Sequence, residues 1–221
     1  MKRYTRLGLA GLLATIALLA ASCGGMGDMD QGQMKKEGEP AKESMKGMDH
    51  SKMDHGSGGT ASGMLMEDGR YSDRRFIDAM VPHHEGAVEM AEVAMKNAEH
   101  QQIKRLAEDI VSAQEAEIRE LKAIKQEEFG TSRVPMDMSM KEMEAMGMTI
   151  DPQALAKEEP FDKAFIDNMI PHHQSAIEMA EVAAKETDNA KIRDLATSIV
   201  EAQKREISQM QQWRKRWYQQ A

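Results

Sequence analysis

Cysteine is almost missing: the 221 residues include one, Cys23. A single thiol excludes an intrachain disulfide framework and any metal site built from several thiolates. Aromatic residues make up only 4% of the chain, and basic residues are in the minority, with 29 Lys and Arg against 37 Asp and Glu and a net charge of -8. An acidic chain of this kind is a poor partner for nucleic acid. Long apolar runs are also missing. The mostly Leu and Ala stretch at residues 7–21 falls short of the roughly 18 to 20 residues that span a bilayer as a helix. No strand-like alternation competes with helical spacing in the second half of the chain.

Methionine, by contrast, is abundant: 21 residues, more than core packing requires. The start of the chain explains the lone cysteine. Lys2, Arg3 and Arg6 precede the apolar stretch, and Leu19-Ala20-Ala21-Ser22-Cys23-Gly24 follows it. This is the pattern of a secretory signal with small residues before the cut. The Ala-Ser-Cys ending resembles a bacterial lipobox, which predicts removal of residues 1–22 and lipid attachment at Cys23; the alternative is an ordinary secretory cut after Ala21 or Ser22 that leaves a free thiol. The expected location is the cell envelope, anchored to a bilayer and facing the periplasm or the outside.

Residues 23–70 are rich in Gly, Met, Lys, Asp and Ser and hold few branched apolar side chains. Such a segment buries too little surface to offset its ordering entropy, so it reads as a disordered tether. Within it, Met48-Asp49-His50 recurs as Met53-Asp54-His55, a pairing of thioether and imidazole that suits capture of a soft metal.

The remainder is a duplication. Phe76 to Ala94 recurs at an offset of 89 as Phe165 to Ala183, and the register continues through Ile103 to Ile118 and Ile192 to Ile207. Apolar residues at three- and four-residue steps mark helices throughout. Ser72 and Pro160 are expected helix starts, with breaks near residues 97–101 and 187–190 and a stop at Gly130. Each half is then a helical hairpin, at residues 71–130 and 160–221. A lone hairpin leaves an apolar stripe wet, so the pair is expected to form one antiparallel four-helix bundle, an all-α fold. Residues 131–159 connect the hairpins and carry six methionines in 13 positions, Met136, Met138, Met140, Met143, Met146 and Met148. This crossover is expected to lay flexible apolar side chains over the bundle end, and its first four methionines are candidates for additional metal capture.

The repeated motif carries the chemistry. Met80, His83, Ala87, Met90 and Ala94 share one helical stripe, as do Met169, His172, Ala176, Met179 and Ala183, while His84 and His173 point about 100 degrees further round. Thioether sulfur and neutral imidazole suit Cu(I), and Ag(I) by analogy, whereas carboxylate and water favour harder ions. Met80, His83, His84, Met90, Met169, His172, His173 and Met179 are therefore candidate ligands, in two symmetric sites or one shared site. Pro82 and Pro171 either begin their helices or kink them. Gln114 with Glu117, and Gln203 with Glu206, either orient the imidazoles or lie on a solvated flank. The basic cluster Arg214-Lys215-Arg216 beside Trp213 and Trp217 suits a helix C-terminus.

At Met80-x-x-His83-His84-x-x-Ala87-x-x-Met90-Ala91, followed by Gln114-x-x-Glu117-Ile118, the chain resembles the bacterial family named domain of unknown function 305. The resemblance spans roughly residues 72–217. It implies a ferritin-like four-helix bundle, kinship with CopM-type periplasmic proteins implicated in copper binding and resistance, and metal ligation at the eight motif residues. The expected role is Cu(I) or Ag(I) sequestration, chaperoning or resistance without catalysis, with a copper export or oxidase system as a possible partner. Two other readings stand beside it: a ferritin-like metal-dependent oxidase, for which no Glu-x-x-His pair is present, and a metal-free interaction bundle.

Overall fold

The computed structural model describes residues 60–218. Six helices are found among them: α1 (Asp73–Asn97), α2 (Gln101–Phe129), α3 (Met140–Ala145), α4 (Pro152–Leu155), α5 (Phe161–Glu186) and α6 (Ala190–Tyr218). The four long ones form the two expected hairpins. Ser72 caps α1 by accepting from the Arg75 amide, and α2 ends at Gly130 with φ 70, the left-handed stop that glycine adopts without a Cβ penalty. The breaks fall at residues 98–100 and 187–189. Asp162, at the start of α5, accepts from the amides of Glu99 and His100 at 3.0 and 2.8 Å, satisfying donors at the α1–α2 turn.

Each hairpin packs on itself, α1 on α2 and α5 on α6, and the two meet chiefly along α1 and α5. His83 on α1 stands opposite Ser175 on α5, and Gly86 opposite His172, so these helices run antiparallel. Since α2 ends at the far side of the bundle from the start of α5, the crossover must travel the bundle's length. It carries α3, opened by a capping box between Ser139 and Glu142, and α4, capped by Asp151. Hydrogen bonds from Ser139 hold the Glu142 carboxyl below its usual range. No described helix is long and apolar enough to cross a membrane.

Two apolar clusters form the core. One gathers Phe76, Ile77, Met80, Leu121, Met146, Met179 and Ile199; the other gathers Met90, Ile103, Ile110, Phe165, Ile166, Met169 and Met210. Along α1 and α5 the paired histidines lie between residues of the two clusters.

The expected tether ends too late at residue 70. A 3-10 turn at Ser62–Leu65 leads into β1 (Met66–Glu67), which pairs antiparallel with β2 (Arg70–Tyr71). Leu65 is 0% exposed in the first cluster. The physical reason is Asp68-Gly69, with φ of 51 and 75, a two-residue turn that closes a hairpin and seats Leu65 with few apolar residues. Residues 1–59, which include the leader, Cys23, Met48, His50, Met53 and His55, lie outside the described residues.

An ion pair is duplicated with the fold. Lys125 on α2, 1% exposed, pairs with Asp78 on α1 and donates to the Arg133 carbonyl at 2.6 Å. Its repeat equivalent, Arg214 on α6, pairs with Asp167 on α5. Burial works to raise the Asp167 carboxyl, but hydrogen bonds from Arg214 and Lys163 outweigh it and hold the group below its usual range. Arg214 thus has a specific partner beyond the general field of a helix C-terminus. Trp213 and Trp217 pack on the second cluster, Trp217 stacking 3.8 Å from the His100 ring.

Candidate metal centre

Pro82 and Pro171 lie inside their helices, well past the first turn. Having no N–H, each removes a helical hydrogen bond just before its histidine pair. The two histidines of each pair then face different neighbours. His83 and His172 point across the hairpin interface, their ring centroids 3.8 Å apart. His84 and His173 face their own second helices: His84 Nε2 lies 2.9 Å from Glu117 Oε2, and His173 Nε2 lies 2.6 Å from Glu206 Oε2. The His84 contact is close but poorly aligned for a hydrogen bond. Of the two readings for the polar residues of α2 and α6, the structure supports contact with the imidazoles for Glu117 and Glu206. Gln114 and Gln203 are buried as well, with amide atoms that find no partner.

All four rings are 0% exposed. A buried imidazole nitrogen without a partner loses its hydrogen bond to water and gains none in return. Here that holds for Nδ1 of His83 and His173 and for both nitrogens of His84 and His172. The partners that do exist set the tautomers. Ser175 Oγ is 2.7 Å from the carbonyls of both Met146 and His172 and 2.8 Å from His83 Nε2. Its proton goes to a carbonyl, so it accepts from His83 Nε2–H and leaves the lone pair on Nδ1. The Glu206 carboxylate likewise accepts from His173 Nε2–H, while His173 Nδ1 has no partner. Unpartnered lone pairs on neutral rings are what a metal requires of histidine.

Burial, reinforced by the neighbouring imidazoles, holds His83 and His172 well below the usual imidazole range. Their folded-state pKa values are depressed, so below about pH 6.5 the unfolded chain takes up protons that the folded chain refuses. Stability of the metal-free protein is therefore full above that pH and falls as pH drops, by about 1.4 kcal/mol per pH unit for each histidine. Urea denaturation at pH 7.5 and 5.5 measures this, and His83→Gln with His172→Gln should flatten the dependence. A wild-type midpoint that does not fall toward pH 5.5 would contradict the assignment.

The motif methionines are all buried. Met80 and Met179 share the first cluster, and Met90 and Met169 share the second, so thioethers flank the histidine layer on both sides. Among the described residues, no group of three or more His, Cys, Asp or Glu side chains is poised to hold a metal. Thioether sulfur beside imidazole is a donor set that suits soft ions.

Of the crossover candidates, Met136 and Met140 are exposed, 58% and 81%, while Met138 packs at the edge of the first cluster. The structure does not gather these three with Met143 into one group. Met146 is fully buried, and Gly147, at φ 67, lies on the backbone of Pro171 and His172 so closely that an added Cβ would stand 3.0 Å from three of its atoms. Met148 reaches over Gly86 toward His172. Met148 and Ser175 belong to the histidine surroundings without standing in the Met-x-x-His-His motif. The signal for Ser175 was the repeat itself, where Ser175 and Gly86 are equivalent positions that differ.

These features define a class, a duplicated four-helix bundle with a buried histidine layer between thioethers. The chain belongs to the family described as "Domain of unknown function (DUF305)", which matches it over residues 20–125 and 73–214. Solved structures of "CopM in the Cu(I)-bound form" and "CopM in the Cu(II)-bound form" are similar to it. They show 37% and 39% identity and TM-scores of 0.60 and 0.62, each match covering 67% of this chain and 99% of the other. A DUF305 fragment from Deinococcus radiodurans matches at 25% identity and TM-score 0.60, over 65% of this chain and 95% of that one. Uncharacterized protein L153 of Acanthamoeba polyphaga mimivirus is 41% identical over 49 residues, which are 22% of this chain and 32% of that protein.

Proposed function

We propose that this protein binds Cu(I) and Ag(I) in the cell envelope and acts in their sequestration, chaperoning or resistance. The observation that carries the reading is the layer of four buried imidazoles, with unpartnered nitrogens, set between two pairs of buried methionines. Leaving so many polar atoms unpaired in a core is costly unless something pairs with them, and neutral imidazole beside thioether selects a soft cation. The likeness to CopM, which has structures in Cu(I)-, Cu(II)- and Ag-bound forms, supports the same ligand class. The leader pattern and Cys23 support a lipid-anchored location. Binding and hand-over make or break no bond in a substrate, so the proposal is of a carrier and not of an oxidase.

The test is competitive titration with Cu(I) under reducing conditions, using the chain that begins at Cys23 and a version lacking residues 24–59. The bundle reading expects tight uptake by both, with a lower stoichiometry when the Met-Asp-His segment is removed. Loss of all tight binding on removal would assign the metal to that segment alone and overturn the reading. Sustained oxygen consumption with Cu(I) or Fe(II) would replace the carrier with an oxidase.

A further inference from the structure

The two halves of the histidine layer are not equivalent, and the difference lies at one pair of repeat positions. Ser175 occupies on α5 the place that Gly86 occupies on α1. On the serine side, the hydroxyl takes His83 Nε2 and ties it to the Met146 carbonyl. On the glycine side there is no side chain, and neither nitrogen of His172 has a partner. A Cβ placed on Gly86 would stand 3.6 Å from His172 Nε2, 3.8 Å from Met148 Sδ and only 2.8 Å from Met148 Cε. The thioether of Met148 thus lies near where a serine hydroxyl would stand if the repeat were perfect.

His172 also borders a pocket of about 620 Å³, into which Met90, Met140, Met143 and Met148 project from α1 and the crossover. Met140, 81% exposed, stands at the outer edge, and Met90, 4% exposed, lies in the core. Glu89, Glu144 and Asp151 line the same pocket against one cation, Lys141, and this acidic excess favours the approach of a cation. Thioether side chains are unbranched and readily change rotamer, which suits passing an ion inward.

Resting on the carrier reading, we propose that this pocket is the entry site for a soft monovalent cation. The ion is held first by His172 Nε2 and Met148 Sδ, with Met90 and Met143 supplying further sulfur. On this assignment the layer fills asymmetrically, from the glycine side, and Met148 belongs among the ligands although it stands outside the duplicated motif.

The test uses Ag(I), which is redox-inert, and protein beginning at Cys23 labelled with ¹³C at the methionine ε-methyl groups. The Met148 signal is assigned with Met148→Leu. Expected is a shift of the Met148 methyl and the His172 ring at or before the first bundle equivalent. Affinity should fall about tenfold or more in Met148→Leu. Gly86→Ser, which displaces the thioether, should show a similar loss. Met95→Leu, on the exposed face of α1, should bind as wild type, and far-UV circular dichroism establishes that each variant is folded. A Met148 methyl that stays still while the histidine rings shift, or a folded Met148→Leu protein that binds as wild type, overturns this site and leaves the carrier reading standing. If none of the four histidine rings responds to Ag(I), the carrier reading itself fails, and this site with it.

Discussion

Changing His83, His84, His172 and His173 together to Ala is expected to weaken Cu(I) binding by the bundle at least about a hundredfold. The four rings supply the nitrogen donors of the layer, and no other described imidazole is near enough to replace them. His100, the remaining described histidine, is engaged by Asp162 at 2.6 Å and by Trp217. Truncation also leaves Glu117 and Glu206 facing apolar space, so a lowered melting temperature in the metal-free variant is part of the expectation. The comparison belongs in protein lacking residues 24–59, where Met48, His50, Met53 and His55 do not compete. Retained affinity in a folded variant would show that thioethers alone hold the ion.

Lys125→Ala is expected to cost about 3 kcal/mol of stability. Lys125 is buried among α1, α2 and the start of the crossover, where it neutralises Asp78 and donates to the Arg133 carbonyl. Removing one member of such a pair strands the other charge and leaves a cavity where the aliphatic stem had packed. Asp78 keeps some solvent exposure and a longer contact with Arg74 at 3.9 Å, which places the loss toward the lower end for a buried pair. Lys125→Met refills the volume without the charge and should lose less. Urea denaturation separates the two, and an alanine variant within about 0.5 kcal/mol of wild type would show that the pair is idle.

The helices were legible because two signals agree: the offset of 89 and the three- and four-residue apolar steps. Ser72, Pro160 and Gly130 mark boundaries with local chemistry that needs no tertiary context. The histidine pairs could be read as a layer for the same reason. What the repeat cannot show is where its copies differ in consequence. Gly86 and Ser175 are both small residues in a line of sequence, yet one opens a pocket and the other fills it with a hydroxyl. Met148 sits at the end of an aperiodic tract, and its position depends on Gly147 lying against the turn of α5 that carries His172. The role of Asp68-Gly69 was local and readable as a hairpin turn, but the polar composition around it masked the single anchoring side chain, Leu65. Lys125 and Arg214 differ in type, and each looks like an ordinary surface cation until its aspartate partner is seen.

If the histidine layer of the bundle, with its flanking thioethers, holds the cation, the metal's immediate neighbours must show both kinds of donor. X-ray absorption at the copper edge, on Cu(I)-loaded protein lacking residues 24–59, reads those neighbours. Expected is a coordination shell of mixed imidazole nitrogen and thioether sulfur, lost in the four-histidine variant. A shell of nitrogen and oxygen alone, or one unchanged by those substitutions, would contradict it.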